Sequence, residues 1–174
     1  MARVSLQDEL AAYDGKHADV LKEIAAAHEP KAAVLRQAIA LSVHEDVTVA
    51  QGATWLLWTW LVQGAGCTAR LVEALVERLP AMEDKWVMLH VARCLPALQL
   101  SPAQIDVCCA FLRRCYAGKL PFLRAWAMDA LYELAQRFDG AEAAAREVLE
   151  AAAEDPAKSV QARYRKITKL PRRP

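Results

Sequence analysis

Residues 123–135 read LRAWAMDALYELA, and this stretch sets the phase of the whole chain. Around Leu131, apolar residues stand at offsets −4, −1, 0 and +3, which places them on one stripe of a helix. Steps of 36 or 38 residues in either direction reach equivalent stripes, whose central residues are Leu21, Leu57, Leu95 and Ile167. An apolar stripe that recurs in phase at this interval predicts a helical repeat.

A second set of apolar helical stripes lies between the first, at residues 4–13, 31–43, 68–79, 102–116 and 141–154. In the third of these regions the stripe is Leu71, Leu75 and Leu79, and in the second it is Leu35, Ile39 and Val43. Glycine and proline fall in the gaps, and we expect N-caps at Asp46, Asp84, Asp155 and Ser101. No segment alternates like a strand, so the chain is predicted to be all-α, with about ten helices in five antiparallel pairs.

The pattern Leu123-Arg124-x-x-Ala127-x-x-Ala130-Leu131 resembles the second-helix consensus of HEAT repeats. The resemblance implies a right-handed α-α superhelix of about five HEAT-like helix pairs. It covers nearly the whole chain and implies a single domain over residues 1–174, with a basic C-terminal tail from about residue 171. The arginine position of the family is held only by Arg124, so a regular Asp–Arg ladder between repeats is not implied. Ala50, Met88 and Val160 stand in the equivalent places.

Composition is that of an ordinary folded protein, with 55% apolar and 25% charged residues and a net charge of +1. Seven basic and no acidic residues lie in 156–174, so a basic terminus follows an acidic body. The first residues lack the apolar core of a signal peptide, and five cysteines in apolar runs favour a reducing cytoplasm. The uncharged stretch 47–69 is interpreted as a buried helix, and we predict no membrane span.

In HEAT-like proteins the second helices line the concave face, so the resemblance implies a partner-binding surface at selected offsets from each central residue. That surface would comprise Trp55, Trp58, His90, Arg93, Trp126, Asp129, Tyr132 and Glu133. Tryptophan, tyrosine and arginine are enriched at binding hot spots. The alternative for Trp55 and Trp58 is that they fill gaps between stacked helices, and Trp60 is expected in the core.

Basic residues near the C-terminus form a second candidate surface, for an anion or a nucleic acid: Lys158, Arg163, Arg165, Lys166 and Lys169. Some HEAT-like proteins are DNA-base glycosylases, so the resemblance also allows a base-repair function. The alternative is that these residues provide the polar outer face of a terminal repeat and complement the helix dipole.

Residues with catalytic or metal-binding patterns are not found. The cysteines lack the C-x2–4-C spacing of zinc sites, and His90 and Cys94 lie one helical turn apart without a third orienting group. We therefore predict no enzymatic activity, no cofactor and no metal. The predicted function is that of a scaffold which binds another protein or a peptide, as a monomer or weak homodimer.

Overall fold

The computed structural model describes residues 5–170, and within that range the chain forms ten α-helices and no β-strand. The all-helical prediction is therefore confirmed. The backbone forms two compact units, one extending to Gln99 and the other beginning at Leu100. A single domain over 1–174 stays a prediction.

The first unit contains six helices: α1 Leu6–Leu10, α2 Ala18–Ala27, α3 Ala32–Leu41, α4 Val47–Val62, α5 Ala69–Val76 and α6 Lys85–Cys94. Helix α4 packs against α2 and α6, while α3 packs against α1 and α5. Helices α2, α4 and α6 thus form one row of contacts, and α1, α3 and α5 form another.

The second unit contains four helices: α7 Ile105–Tyr116, α8 Pro121–Ala135, α9 Glu142–Ala153 and α10 Lys158–Ile167. Helix α8 packs against α7, α9 and α10, and α7 also packs against α9. The same two rows of stacked helices are therefore found here.

The central residues of the repeat form the core of each unit. Leu21, Leu57, Leu95, Leu131 and Ile167 are all at most 2% exposed. Two positions of the predicted apolar stripes are wrong: Val43 is 40% exposed, and Leu170, at offset +3 from Ile167, is 47% exposed. Helix α3 ends at Leu41 and α10 at Ile167, so each residue lies beyond the helix that would have turned it inward.

Helix starts follow the aspartates in the first unit. The Asp46 carboxylate accepts from the Thr48 amide at 2.9 Å, and Asp84 accepts from the Trp86 amide at 2.9 Å. Asp155 is not the N-cap that the sequence predicts, because α10 begins at Lys158 after an N-cap at Ala157.

Asp155 instead forms a buried ion pair with Arg124. Arg124 donates from Nε to Oδ2 at 2.8 Å and from Nη2 to Oδ1 at 2.9 Å, and the two side chains are 14% and 6% exposed. Hydrogen bonds from Arg124 are the main reason that the pKa of Asp155 lies below its ordinary value. Tyr116 and the Ala157 amide also donate to this carboxylate, so Asp155 ties together α7, α8 and the start of α10.

Helix α4 is the apolar stretch that raised the question of a membrane span. None of the helices that the structure describes is both long and apolar enough to cross a bilayer. Trp60, on α4, is 3% exposed and donates its indole N–H to the Ala25 carbonyl at 3.4 Å, so it lies in the core as predicted.

Candidate functional site

Four of the predicted surface residues of the first unit come together on α4 and α6, and we call them the Trp58 cluster: Trp55, Trp58, His90 and Arg93. The Arg93 guanidinium lies over the Trp58 ring, 3.6 Å from its centroid. His90 stacks with Trp58 at 6.2 Å between centroids and 10° between planes. Trp55 meets Trp58 edge-on at 6.1 Å. Each of the four is partly exposed, so the cluster forms a surface that is packed but not closed.

His90 is held in its neutral form at the base of this cluster. Burial lowers its pKa to about 4, and the positive charge of Arg93 acts in the same direction. Its Nδ1 lies 3.2 Å from the hydroxyl of Thr54, which is fully buried and donates to the Ala50 carbonyl at 2.9 Å. Because that hydroxyl has one hydrogen, its oxygen is left to accept from a protonated Nδ1 of His90.

Arg93 is the charged member of the Trp58 cluster. Its pKa is lowered because part of the guanidinium has lost contact with water. A desolvated cation over the face of a tryptophan is attracted by the ring quadrupole, by about 0.5–2 kcal/mol. The stack therefore fixes both side chains in one arrangement.

The second unit has a related group on α8 and α10, the Trp126 cluster: Phe122, Trp126, Asp129 and Arg163. Arg163 lies over the Trp126 ring at 4.8 Å, and Phe122 meets the same ring edge-on at 6.4 Å. Asp129 receives two bonds from Arg163, one from Nε to Oδ1 at 2.9 Å and a second, close one from Nη2 to Oδ2. The cation of this cluster is thus already paired with a carboxylate.

The remaining predicted surface residues of α8, Tyr132 and Glu133, are not members of the Trp126 cluster. Tyr132 lines a separate cleft of about 320 Å³ together with Tyr164 and residues of α9. Glu133 is exposed, and partial loss of water, with the nearby Asp129 charge, raises the pKa of its carboxyl.

The predicted basic surface divides into two groups. Arg163 belongs to the Trp126 cluster, with its side chain 29% exposed. The other four are exposed residues of α10 and the turn after it, and they form no ion pair with any residue that the structure describes: Lys158, Arg165, Lys166 and Lys169. The positive charge of this surface that is not paired with a carboxylate is therefore carried by these four exposed side chains.

The cysteines lie in environments that suppress reactivity. Burial raises the pKa of Cys94, Cys108 and Cys115 to about 12, so these thiols stay protonated at neutral pH. Cys94 donates to the Val91 carbonyl rather than to His90. Over residues 5–170 no group of three His, Cys, Asp or Glu side chains is arranged to hold a metal ion.

Sequence reasoning missed Phe122 and the partner of Arg124. Phe122 is 51% exposed and stands four residues before Trp126, a spacing that places two side chains on one helix face. That spacing could have revealed it. Nothing in the sequence distinguished Asp155 as an ion-pair partner from Asp155 as a helix cap.

Comparisons with protein-family models, curated proteins and solved structures gave no match to this chain. Function is therefore inferred from the two clusters and the basic surface of α10.

Proposed function

We propose that this protein is a non-enzymatic interaction module that binds another protein or a peptide through its second helices. On this proposal the helices form five HEAT-like pairs in a right-handed superhelix. The proposal is supported by the internal period and by the stacking of like helices within each unit.

The observation that carries the proposal is the stack of Arg93 on Trp58. Tryptophan and arginine are the residues most enriched at binding hot spots, where they contribute through large contact area and directed hydrogen bonding. Their rotamers are restrained here by each other, by His90 and by Trp55. Side chains ordered before binding lose less conformational entropy when a partner arrives.

The neighbouring Trp60 shows how a packing tryptophan differs from those of the Trp58 cluster. Trp60 is 3% exposed and bonds to a backbone carbonyl of α2, so it closes the core. Trp55 and Trp58, on the same helix, keep part of their rings in water. A partly exposed, stacked pair supports recognition more than gap filling.

The test is capture of partners from an extract of cells that naturally make the protein. The double variant Trp58→Ala, Arg93→Ala is expected to lose proteins that the unaltered chain retains, because the stack is removed from the surface. Trp86→Ala is the matched control, since Trp86 is a 40% exposed tryptophan at the start of α6 that lies outside the cluster. Circular dichroism checks that each variant stays helical.

Two results would contradict the proposal. Unchanged capture by the double variant would show that the Trp58 cluster does not form the binding surface. Unfolding of the double variant would show that Trp58 and Arg93 belong to the core.

A second candidate function, nucleic-acid binding, is favoured by the four exposed cations of α10 and its following turn. Cations placed along a phosphate backbone release counterions, so binding would weaken steeply as salt is raised. Tight binding of duplex or single-stranded DNA with that salt dependence would favour this function over the first.

A further inference from the structure

A cleft between α8 and α10 in the second unit is lined by both aromatic and basic side chains. It measures about 320 Å³ and is lined by Phe122, Ala125, Trp126, Ser159, Ala162, Arg163 and Lys166. One wall is aromatic and the other is cationic with a hydroxyl. This is the composition of a site that takes an apolar group next to an anionic one.

The aromatic wall is partly exposed. Phe122 is 51% exposed at the start of α8, and its ring meets Trp126 edge-on at 78° between planes. Half of a phenylalanine side chain in water is unfavourable, so an apolar group placed against it would gain by burial.

Of the two cations that line the cleft, Arg163 is paired with Asp129, which leaves the charge of Lys166 unbalanced. None of the residues lining the cleft is acidic, and Lys166 forms no ion pair within the described part of the chain. Its neighbours one turn away on the helix are Ala162, Arg163, Lys169 and Leu170, so no acid on its own helix can reach it. Lys166 therefore leaves positive potential at the mouth of the cleft.

The contacts of Arg163 distinguish between a nucleic acid and an acidic peptide as the partner of this cleft. Arg163 lies over Trp126 at 4.8 Å, so the ring face turned towards α10 is covered and does not offer a stacking platform for a base. Its guanidinium also donates to Asp129 through Nε and Nη2, so among the lining residues the charge without an acidic partner is that of Lys166. An aromatic edge and a single lysine fit an acidic peptide better than a nucleic acid.

We infer that the cleft binds an extended acidic peptide segment in which a glutamate or aspartate lies next to an apolar side chain. The apolar side chain packs on Phe122 and the edge of Trp126, and the carboxylate accepts hydrogen bonds from Lys166 and Ser159. This inference rests on the proposed function, because it names the chemistry of a partner for the same row of second helices.

The test is fluorescence anisotropy of the full chain with a labelled peptide of alternating glutamate and leucine. We expect saturable binding by the unaltered protein and a loss of at least about tenfold in affinity for Lys166→Glu. Phe122→Ala should weaken binding of this peptide but not that of a glutamate–serine peptide. Lys119→Glu is the control, because it makes the same charge change at an exposed site of the second unit outside the cleft.

Several outcomes would overturn the inference. These are no binding of the glutamate–leucine peptide, equal losses for Lys166→Glu and Lys119→Glu, or equal affinity for the glutamate–serine peptide. Tighter binding of a labelled oligothymidine would assign the cleft to nucleic acid instead. If any of these results is found while the Trp58→Ala, Arg93→Ala variant loses capture of partners, the proposed function is supported and only the inference about the cleft is contradicted.

Discussion

The Trp58 cluster and the Trp126 cluster stack an arginine on a tryptophan in the same way but surround it with different chemistry. In the first unit the ring also stacks with His90, a neutral imidazole bonded to the buried hydroxyl of Thr54. In the second unit the arginine is held by the carboxylate of Asp129. In the first cluster the ring is held by a neutral imidazole as well as by the Arg93 cation, whereas in the second the arginine is held by an ion pair.

The same contrast is found where a helix start is tied to the preceding second helix. Asp84 accepts a hydrogen bond from the uncharged side-chain amide of Gln51 at 3.1 Å in the first unit. Asp155 accepts two bonds from the guanidinium of Arg124 in the second unit. The polar chemistry at these two corresponding contacts therefore differs between the units.

The largest expected effect is that of breaking the Arg124–Asp155 pair. Asp155→Ala leaves a nearly buried guanidinium without a counter-charge, which should lower the free energy of unfolding by about 3–5 kcal/mol. Asp84→Ala removes cap bonds and one amide bond and should cost about 1–2 kcal/mol. Urea unfolding followed by circular dichroism measures both, and equal costs would show that the contrast between units has no energetic consequence.

A second difference between the clusters is in their response to pH. The pKa of His90 falls from 6.5 to about 4 on folding. Between these pH values the unfolded chain binds a proton that the folded protein does not. The contribution of His90 to the free energy of unfolding is therefore fully present above pH 6.5 and decreases as the pH falls towards 4. The loss attributable to His90 is at most about 3 kcal/mol.

The variant His90→Asn isolates this contribution, because asparagine does not titrate. Unfolding free energies of the unaltered protein and the variant, measured across this pH range, should converge as the pH falls. Parallel curves would mean that His90 titrates alike in the folded and unfolded states.

The smallest expected effect separates the two clusters by salt. Asp129→Asn weakens a partly exposed ion pair and should cost about 1–2 kcal/mol in low salt and less in concentrated salt. Thr54→Val removes a buried neutral bond to His90 and should cost about 1 kcal/mol whatever the salt. Urea unfolding at two salt concentrations is the measurement. Salt-dependent destabilisation by Thr54→Val would contradict the assignment of the Thr54–His90 hydrogen bond as neutral.

The all-helical fold could be predicted because the spacing of apolar residues along the sequence reflects which side chains are buried. Leu57 and Leu131 are buried for the same reason, and an apolar residue at a fixed offset is visible in the sequence. The residues of the Trp58 cluster could also be assigned to one surface by their offsets, whereas Phe122 of the Trp126 cluster was missed.

Which polar side chains meet could not be predicted. Thr54 and His90 are 36 residues apart, Asp129 and Arg163 are 34, and Arg124 and Asp155 are 31. These separations vary because each contact depends on the rotation of one helix against the next and on side-chain rotamers. Neither quantity is expressed in an apolar period.

The Arg124–Asp155 pair also restricts how this chain can be shortened. In an ideal repeat protein, a terminal pair of helices can be deleted at the cost of one interface. Deleting α9 and α10 at a boundary before Asp155 would remove the only acidic partner that the structure describes for Arg124, while the arginine remains on α8. The last helix pair is therefore an integral part of the second unit and not an interchangeable module.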